Sequence, residues 1–291
     1  MSFVTEIYQD FENLAQTINK LSGDKEVVYI PNPGNFGDGL IRYATKQFLK
    51  DFNINHWEVN VGYGMITYQL LPYLINKDKY FFVIGGGGGW CDAYNCGYRI
   101  AKKITNFTSN FLVLPSTFDI NISKISGTLY SRDKYESLER NPSKLFCHDM
   151  AFYLTTVNSE KLNSKNDNIT PHIGFLMRTD KESANLNFPQ HSFNIDISLL
   201  GDHMSNGDKF LKIVSQYDEI YTDRLHVCIA SIIMGIDVNL FPGSYFKIKR
   251  IYESSIKPYF DAVSLFNNKE DCVGYMQVLN SNFEAINETK N

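Results

Sequence analysis

Short apolar runs closed by glycine or proline alternate with amphipathic segments along most of the chain. Residues 27–30 (Val-Val-Tyr-Ile) form an apolar run ended by Pro31-Asn32-Pro33-Gly34, which predicts a buried strand running into a loop. Beyond Asp38, the positions Ile41, Ala44, Phe48 and Leu49 recur on one helical face. Residues 80–84 predict a second buried strand, closed by five consecutive glycines at 85–89, and residues 111–115 and 144–147 predict a third and a fourth. Strand, glycine loop and helix in repeated order imply parallel strands joined by crossover helices, a Rossmann-like half.

A polar stretch at 158–170, rich in Asn, Ser and Lys and lacking an apolar period, predicts a linker. The second half restarts with a strand at 172–178 that ends in Arg178. A strand at 193–197, a helix at 207–216 and a strand at 219–222 follow, the last feeding a strongly apolar helix with Gly235 as its C′ residue. A strand at 236–241, a Pro242-Gly243 turn and a polar, basic loop at 244–250 come next. Cys272, Met276, Leu279, Phe283 and Ile286 make a one-sided helical stripe, read as a packing face. The pattern as a whole predicts an α/β fold of two domains facing a cleft, residues 1–157 and 171–265, with a helix at 266–291 packing across them.

Composition narrows this picture. At 291 residues the chain exceeds the usual single-domain size, so each half is expected to bury its own core. A net charge of -4 leaves no broad basic surface, so nucleic acid is not expected as a partner and any anion site must be local. Residues 1–6 lack the basic, apolar and small succession of a secretory leader, which predicts a cytoplasmic chain. The longest apolar segment, 227–241, is interrupted by Gly235, Asp237 and Asn239, so a buried helix and strand are expected there, not a membrane span. Peripheral attachment to the inner face of a membrane stays open. Five scattered cysteines without a CxxC pair fit reduced thiols, and their spacing predicts no metal site.

Tyr221-Thr222-Asp223-Arg224-Leu225-His226 carries the strongest chemical signal. It lies where a strand hands over to a helix, and in open α/β sheets the N–H groups and dipole at that junction favour an anion. Arg224 adds a planar fork for phosphate or carboxylate, and His226 a group that exchanges protons near neutrality. The competing reading is a surface arginine beside a satisfied histidine. Arg178 is expected on the same sheet edge, and two arginines with a histidine can hold a dianion bearing phosphate and carboxylate. Of Lys247 and Lys249, at most one is expected to border that pocket.

In the first half, Gly34-Asn35-Phe36-Gly37-Asp38-Gly39 lets backbone N–H groups approach a ligand, yet it matches neither the Walker A loop nor the dinucleotide fingerprint. Asp38 is either an N-cap or a ligand contact. The glycine run at 85–89 implies that a ligand or another backbone passes close by, and Trp90 and Tyr94 either stack on a sugar ring or pack. His148 and Asp149, adjacent on an extended segment, point to opposite faces and cannot pair with each other. Arg132 and Asp133 are expected to tie the first domain together.

An ordered set of segments carries a family resemblance: residues 34–41, the glycine run at 85–89, Leu129-Tyr130-Ser131-Arg132-Asp133 with Glu136-Ser137, His148-Asp149-Met150-Ala151-Phe152, Asp223-Arg224-Leu225-His226, and Ser244-Tyr245-Phe246-Lys247 with Tyr252-Glu253. In this order and spacing the chain resembles the polysaccharide pyruvyl transferase family, over residues 34–256. Phe246 departs from the glycine the family often has there. The resemblance implies two Rossmann-like domains arranged as in GT-B glycosyltransferases, and transfer of pyruvate from phosphoenolpyruvate to a sugar as a cyclic ketal in exopolysaccharide or capsule biosynthesis. It implies donor binding by Arg178, Arg224, Leu225 and His226, with Lys247 at the border and His226 as general acid or phosphate ligand. Asn35, Gly37, Asp38, Gly87, Gly88, Trp90 and Asp92 would face the acceptor, a sugar or lipid-linked oligosaccharide, with Asp38 taking a hydroxyl proton. No metal or cofactor is expected, because cationic side chains offset the donor charge. The rivals are a GT-B glycosyltransferase using a nucleotide sugar and a non-catalytic sugar-binding protein on the same scaffold.

Overall fold

The computed structural model describes residues 3–62, 65–158, 172–180, 182–183, 194–266 and 271. Helix α1 (Phe3–Ser22) comes first and adds to the elements predicted above. Its Ile7, Phe11, Leu14, Ala15 and Ile18 recur at helical spacing and are all buried.

The first sheet is built from β1 (Glu26–Ile30), α2 (Phe36–Asp51), β2 (His56–Glu58), α3 (Ile66–Ile75), β3 (Tyr80–Ile84), α4 (Cys96–Thr105), β4 (Phe111–Ser116), β5 (Thr128–Ser131), α5 (Glu136–Arg140) and β6 (Leu145–Phe146). Its six strands are parallel, in the order β2-β1-β3-β4-β5-β6. β1, β3 and β4 are covered on both faces, which is why they show as continuous apolar runs in the sequence. β2 is an edge strand with Trp57 exposed, and its His-Trp-Glu carries no such signal. The chain leaves β1 toward β2 and then crosses to β3 on the other side. At that reversal the loops after β1 and β3 diverge and leave a crevice at the carboxyl ends of the strands.

After α6 (Tyr153–Val157), the predicted linker lies outside the described residues, Asn158 excepted. The second sheet contains β7 (Ile173–Phe175), α7 (Gly207–Val214), β8 (Glu219–Thr222), α8 (Leu225–Met234), β9 (Asp237–Leu240), α9 (Lys247–Ile251) and β10 (Val263–Leu265). Its four strands are parallel and sequential. Gly235 ends α8 with φ 71°, in the left-handed region, as predicted. Two predictions are corrected. In place of a strand at 193–197, Asn194 forms an isolated bridge to Phe175, and Ile197–Leu200 is a 3-10 turn whose Ser198 N–H is capped by Asp196. The basic loop at 244–250 runs into helix α9. The C-terminal stripe and its helix at 266–291 lie outside the described residues, apart from Phe266 and Asp271.

The two sheets share a core. One buried cluster extends from Ile7, Phe11 and Phe48 through Phe152 to Val227, Ile229 and Val238, while a second covers the other face of the first sheet. A separate core in each half was expected; the second half instead completes its core against α1, α2 and the turn at Met150–Phe152. Phe36 meets Phe210 edge-on at 5.1 Å, and Tyr43 donates to Asp208 at 2.8 Å, so α2 lies on α7. Burying aromatic rings of this kind stabilises by about 1.5–3 kcal/mol each. Polar contacts add direction: Arg250 forks onto Glu136 at 2.7 and 2.8 Å, and His148 meets Ser255 Oγ at 2.8 Å.

Candidate active site

The loops after β1 and β3, the ends of β7 and β8, and the start of α9 enclose a cavity of about 360 Å³. It lies at the crevice that the strand order creates, and both sheets contribute to its wall.

On the second-sheet side, two buried side chains set the geometry. Thr222 Oγ1 donates to Leu176 O at 2.6 Å and accepts the Arg224 N–H at 3.0 Å, while Asp223 Oδ1 accepts the Arg178 N–H at 2.7 Å. These bonds tie the end of β7 to the β8–α8 turn and bring Arg178 and Arg224 to the same wall. Arg224 is the N-cap of α8 and has extended backbone with no side-chain cap, and Leu225, His226 and Val227 of the first turn line the cavity.

The cations there are paired internally. Asp196 pairs with Arg224, accepting Nη2 at 2.7 Å and standing 2.6 Å from Nε. Asp180 takes Arg178 as a fork, at 2.9 and 3.0 Å, and reaches Arg224 at 3.2 Å. Glu182 bridges Arg178 Nη1 at 2.6 Å and Lys247 Nζ at 3.0 Å. Burial, the largest influence on Asp196, would raise its pKa, but Arg224 and the donors of Thr179 and Ser198 outweigh it and bring the carboxyl down to about 2. Burial lowers the Lys247 ammonium below the ordinary lysine value, with Glu182 opposing. Lys249 is exposed and does not line the cavity.

On the first-sheet side, α2 opens with a capping box. Asn35 Oδ1 accepts the Gly37 N–H at 2.9 Å, and Asp38 Oδ2 accepts the Asn35 N–H at 3.0 Å. Asn32 Nδ2 donates to the other Asp38 oxygen at 3.3 Å. Asp38 is therefore the third helical residue of the box and Asn35 the cap, so its carboxylate is committed to the helix start although it borders the cavity. Gly37 permits a close approach of α2 to α8: a Cβ there would lie 2.4 Å from His226 Nδ1.

The glycine run is closed mainly by backbone. A Cβ on Gly85 would lie 2.5 Å from Asn32 N, and one on Gly86 2.4 Å from Pro115 O. Gly88 and Gly89 reach the cavity wall, whereas Gly87 (φ 116°) turns behind it against Ile41. Trp90 is fully buried, edge-on to Phe118 at 5.1 Å, and offers no face to a sugar. Tyr94, 40 % exposed, lines the cavity instead. Asp92 borders a neighbouring hollow of about 320 Å³ that shares Glu182 with the main one.

Two site residues escaped the sequence reading. Arg132 does tie the first half together, through Thr117 Oγ1 at 2.8 Å and Asp149 at 2.6 Å, but it also lines the cavity. Asp149 is fully buried and stands 3.6 Å from His226 Nε2. His148 faces the opposite way, toward Asp10 and Ser255, as the alternation of an extended segment requires. Nothing local in the sequence links Asp149 to His226.

A family model of polysaccharide pyruvyl transferases matches residues 35–242, a span that contains the α2 start, the glycine run, Arg132, Asp149, Arg178 and the β8–α8 junction. The chain belongs to the polysaccharide pyruvyl transferase family. It is thus a member of an enzyme family whose role is pyruvyl transfer in polysaccharide biosynthesis. Among solved structures, a functionally uncharacterised protein from Klebsiella pneumoniae subsp. pneumoniae NTUH-K2044 is similar, with a TM-score of 0.67 and 22% identity over 92% of this chain and 100% of that one. That likeness concerns the fold alone. A transcription-regulator-like protein from Staphylococcus haemolyticus, at 11% identity over 89% of this chain and 91% of that one, has a TM-score of only 0.28. No curated protein matches. Among the described residues of this pyruvyl transferase family member, no helix is long and apolar enough to cross a membrane.

Proposed function

We propose that this chain moves pyruvate from phosphoenolpyruvate to two hydroxyls of a sugar, forming a cyclic ketal and releasing phosphate. The observation that carries the reading is the convergence of Arg132, Arg178, Arg224, His226 and Lys247 on one cavity beside the open N-terminus of α8. Guanidinium forks match carboxylate and phosphate oxygens, and a helix N-terminus favours a dianion. Asp180 and Glu182 give the donor a defined exchange to make: its carboxylate and phosphate replace them on Arg178, Arg224 and Lys247.

In the reaction, a proton adds to the methylene carbon of the donor while the first sugar hydroxyl bonds to the adjacent carbon and loses its own proton. The phosphate then leaves with its bonding electron pair, and the second hydroxyl takes its place and gives up the second proton. His226 supplies the first proton. Asp180 and Glu182 are the wall carboxylates available to accept hydroxyl protons, since Asp38 is held in the capping box. Tyr94 offers the aromatic face for the sugar, and the hollow beside Asp92 extends the acceptor path. In this reading residues 1–157 and 171–265 act as acceptor and donor halves of a GT-B-like pair of Rossmann-like domains. The acceptor is a sugar unit, free or lipid-linked, of an exopolysaccharide or capsule.

The test is incubation of the purified chain with phosphoenolpyruvate and galactose-, mannose- or glucosamine-containing glycans. Phosphate release matched by acceptors that gain one pyruvyl ketal upholds the reading. Consumption of a nucleotide sugar, with no reaction of phosphoenolpyruvate, replaces it by glycosyl transfer.

A further inference from the structure

Three groups surround the buried Asp149 carboxylate. Ala151 N–H donates to Oδ1 at 2.9 Å, Arg132 Nη1 donates to Oδ2 at 2.6 Å, and His226 Nε2 stands 3.6 Å from that same Oδ2. Arg132 is fixed in turn by its Nε bond to Thr117. His226 Nε2 is itself buried and has no hydrogen bond among the described residues. A ring nitrogen in that position, with a rigid ionised carboxylate ahead of it, has one favourable state: it carries the hydrogen and points it at Asp149. The gap of 3.6 Å is longer than a formed bond, and such contacts tighten when substrate binds. The other nitrogen, Nδ1, packs against Gly37, where a Cβ would lie 2.4 Å away, and the residue lines the cavity.

We infer that Asp149, seated on Arg132, is the positioning residue of the site: it holds His226 as the Nε2–H tautomer and so leaves Nδ1 to exchange the proton with substrate. What Nδ1 does there rests on the pyruvyl-transfer reading; the tautomer does not. Charged His226 gives its Nδ1 proton to the methylene carbon, whose π electrons form the new C–H bond. The ring becomes neutral with Nε2–H still directed at Asp149, and a hydroxyl proton later restores Nδ1–H. The arrangement joins the two sheets, because Arg132 and Asp149 belong to the first half and His226 to the second. It also explains why a fully buried acid sits at the boundary between the halves, where an apolar residue would pack without the cost of desolvating a charge.

The experiment uses the full chain labelled with 15N-histidine, with the His226 ring signals assigned by their loss in His226→Gln. The wild type should show the Nε2–H tautomer in the neutral ring. In Asp149→Asn that preference should disappear, and kcat should fall roughly 10²-fold, with the KM for phosphoenolpyruvate within about threefold of wild type. In the His226→Gln background, Asp149→Asn should produce no further loss of kcat, whereas a merely structural role would add its own. An Nδ1–H tautomer in the wild type overturns the inference, and so does unchanged kcat in Asp149→Asn. The wild-type spectrum needs no Asp149 variant, so it decides the matter even if that variant fails to fold. An Nε2–H tautomer in a protein that does not turn over phosphoenolpyruvate upholds the positioning and refutes the donor assignment.

Discussion

Replacing Gly37 by alanine separates what stabilises the fold from what orders the site. The added Cβ would lie 2.4 Å from His226 Nδ1 and 3.1 Å from His226 Cγ, where ordinary van der Waals contact begins at 3.4 Å. The ring must therefore retreat by about 1 Å. Translation alone does not absorb this, because Nε2 is already 3.6 Å from Asp149 Oδ2, and a full retreat in that direction would force a contact shorter than the usual 2.9–3.0 Å. The imidazole has to rotate away from the orientation it now holds. A misplacement of about 1 Å at a reacting group costs on the order of 10²-fold in rate. Stability should move by no more than about 2 kcal/mol, since alanine is favoured over glycine in a helix by up to about 1 kcal/mol, which offsets part of the roughly 1–3 kcal/mol that crowding the ring costs. The assay is phosphate release from phosphoenolpyruvate with a saturating acceptor, run beside thermal unfolding followed by circular dichroism. Turnover within about threefold of wild type in Gly37→Ala would refute the claim that this glycine exists to seat the histidine.

Other consequences are equally concrete. Arg224→Lys keeps the charge but loses the planar guanidinium that Asp196 holds, so the KM for phosphoenolpyruvate should rise at least about tenfold; an unchanged KM would mean the donor does not meet Arg224. Arg224→Ala goes further and leaves Asp196 without its cation, held by Thr179 and Ser198 alone, and losing one partner of a buried hydrogen-bonded pair should destabilise by about 1–3 kcal/mol, readable in denaturant unfolding. Trp90→Phe should leave both turnover and acceptor KM near wild type, while Trp90→Ala should lose about 3–5 kcal/mol of stability. A raised acceptor KM in Trp90→Phe at unchanged stability would show that the indole meets the sugar after all. Asp196 has a folded pKa of about 2 against an ordinary 3.8, so its contribution to stability is present above pH 3.8 and disappears as pH falls toward 2. Unfolding free energy measured across that window should decline, and Asp196→Asn should flatten the decline.

Some of this molecule could be read directly from the chain. The predicted bounds of Tyr80–Ile84 match the observed ones, and those of β1 and β4 come within a residue, because strands buried on both faces leave an uninterrupted apolar run; Glu219–Thr222 is legible instead from the strand-to-helix junction it feeds. The Arg-Leu-His junction was legible for a similar reason. A strand end, a helix start and a left-handed Gly235 are local events, each decided within a turn or two of chain. Where an element is short and at an edge, as with His56–Glu58, that local signal vanishes.

Local pattern alone determined the alternation of strands and helices, the parallel sheets and the cationic junction at Arg224 and His226. Tertiary structure alone decided what surrounds that junction. Asp149 faces His226 because the turn after β6 packs against α8; Asp196 grips Arg224 because Ile197–Leu200 folds as a 3-10 turn; and Trp90 is buried because Phe118 closes over it. Asp38 belongs to a capping box whose partner atoms come from Asn32 and Asn35 in a fixed loop conformation. A hydrophobic period reports which face of an element is covered, but it does not specify the element that covers it. Contacts between side chains far apart in sequence follow from strand order, crossing geometry and the fit of packed surfaces, which exist only once the chain has folded.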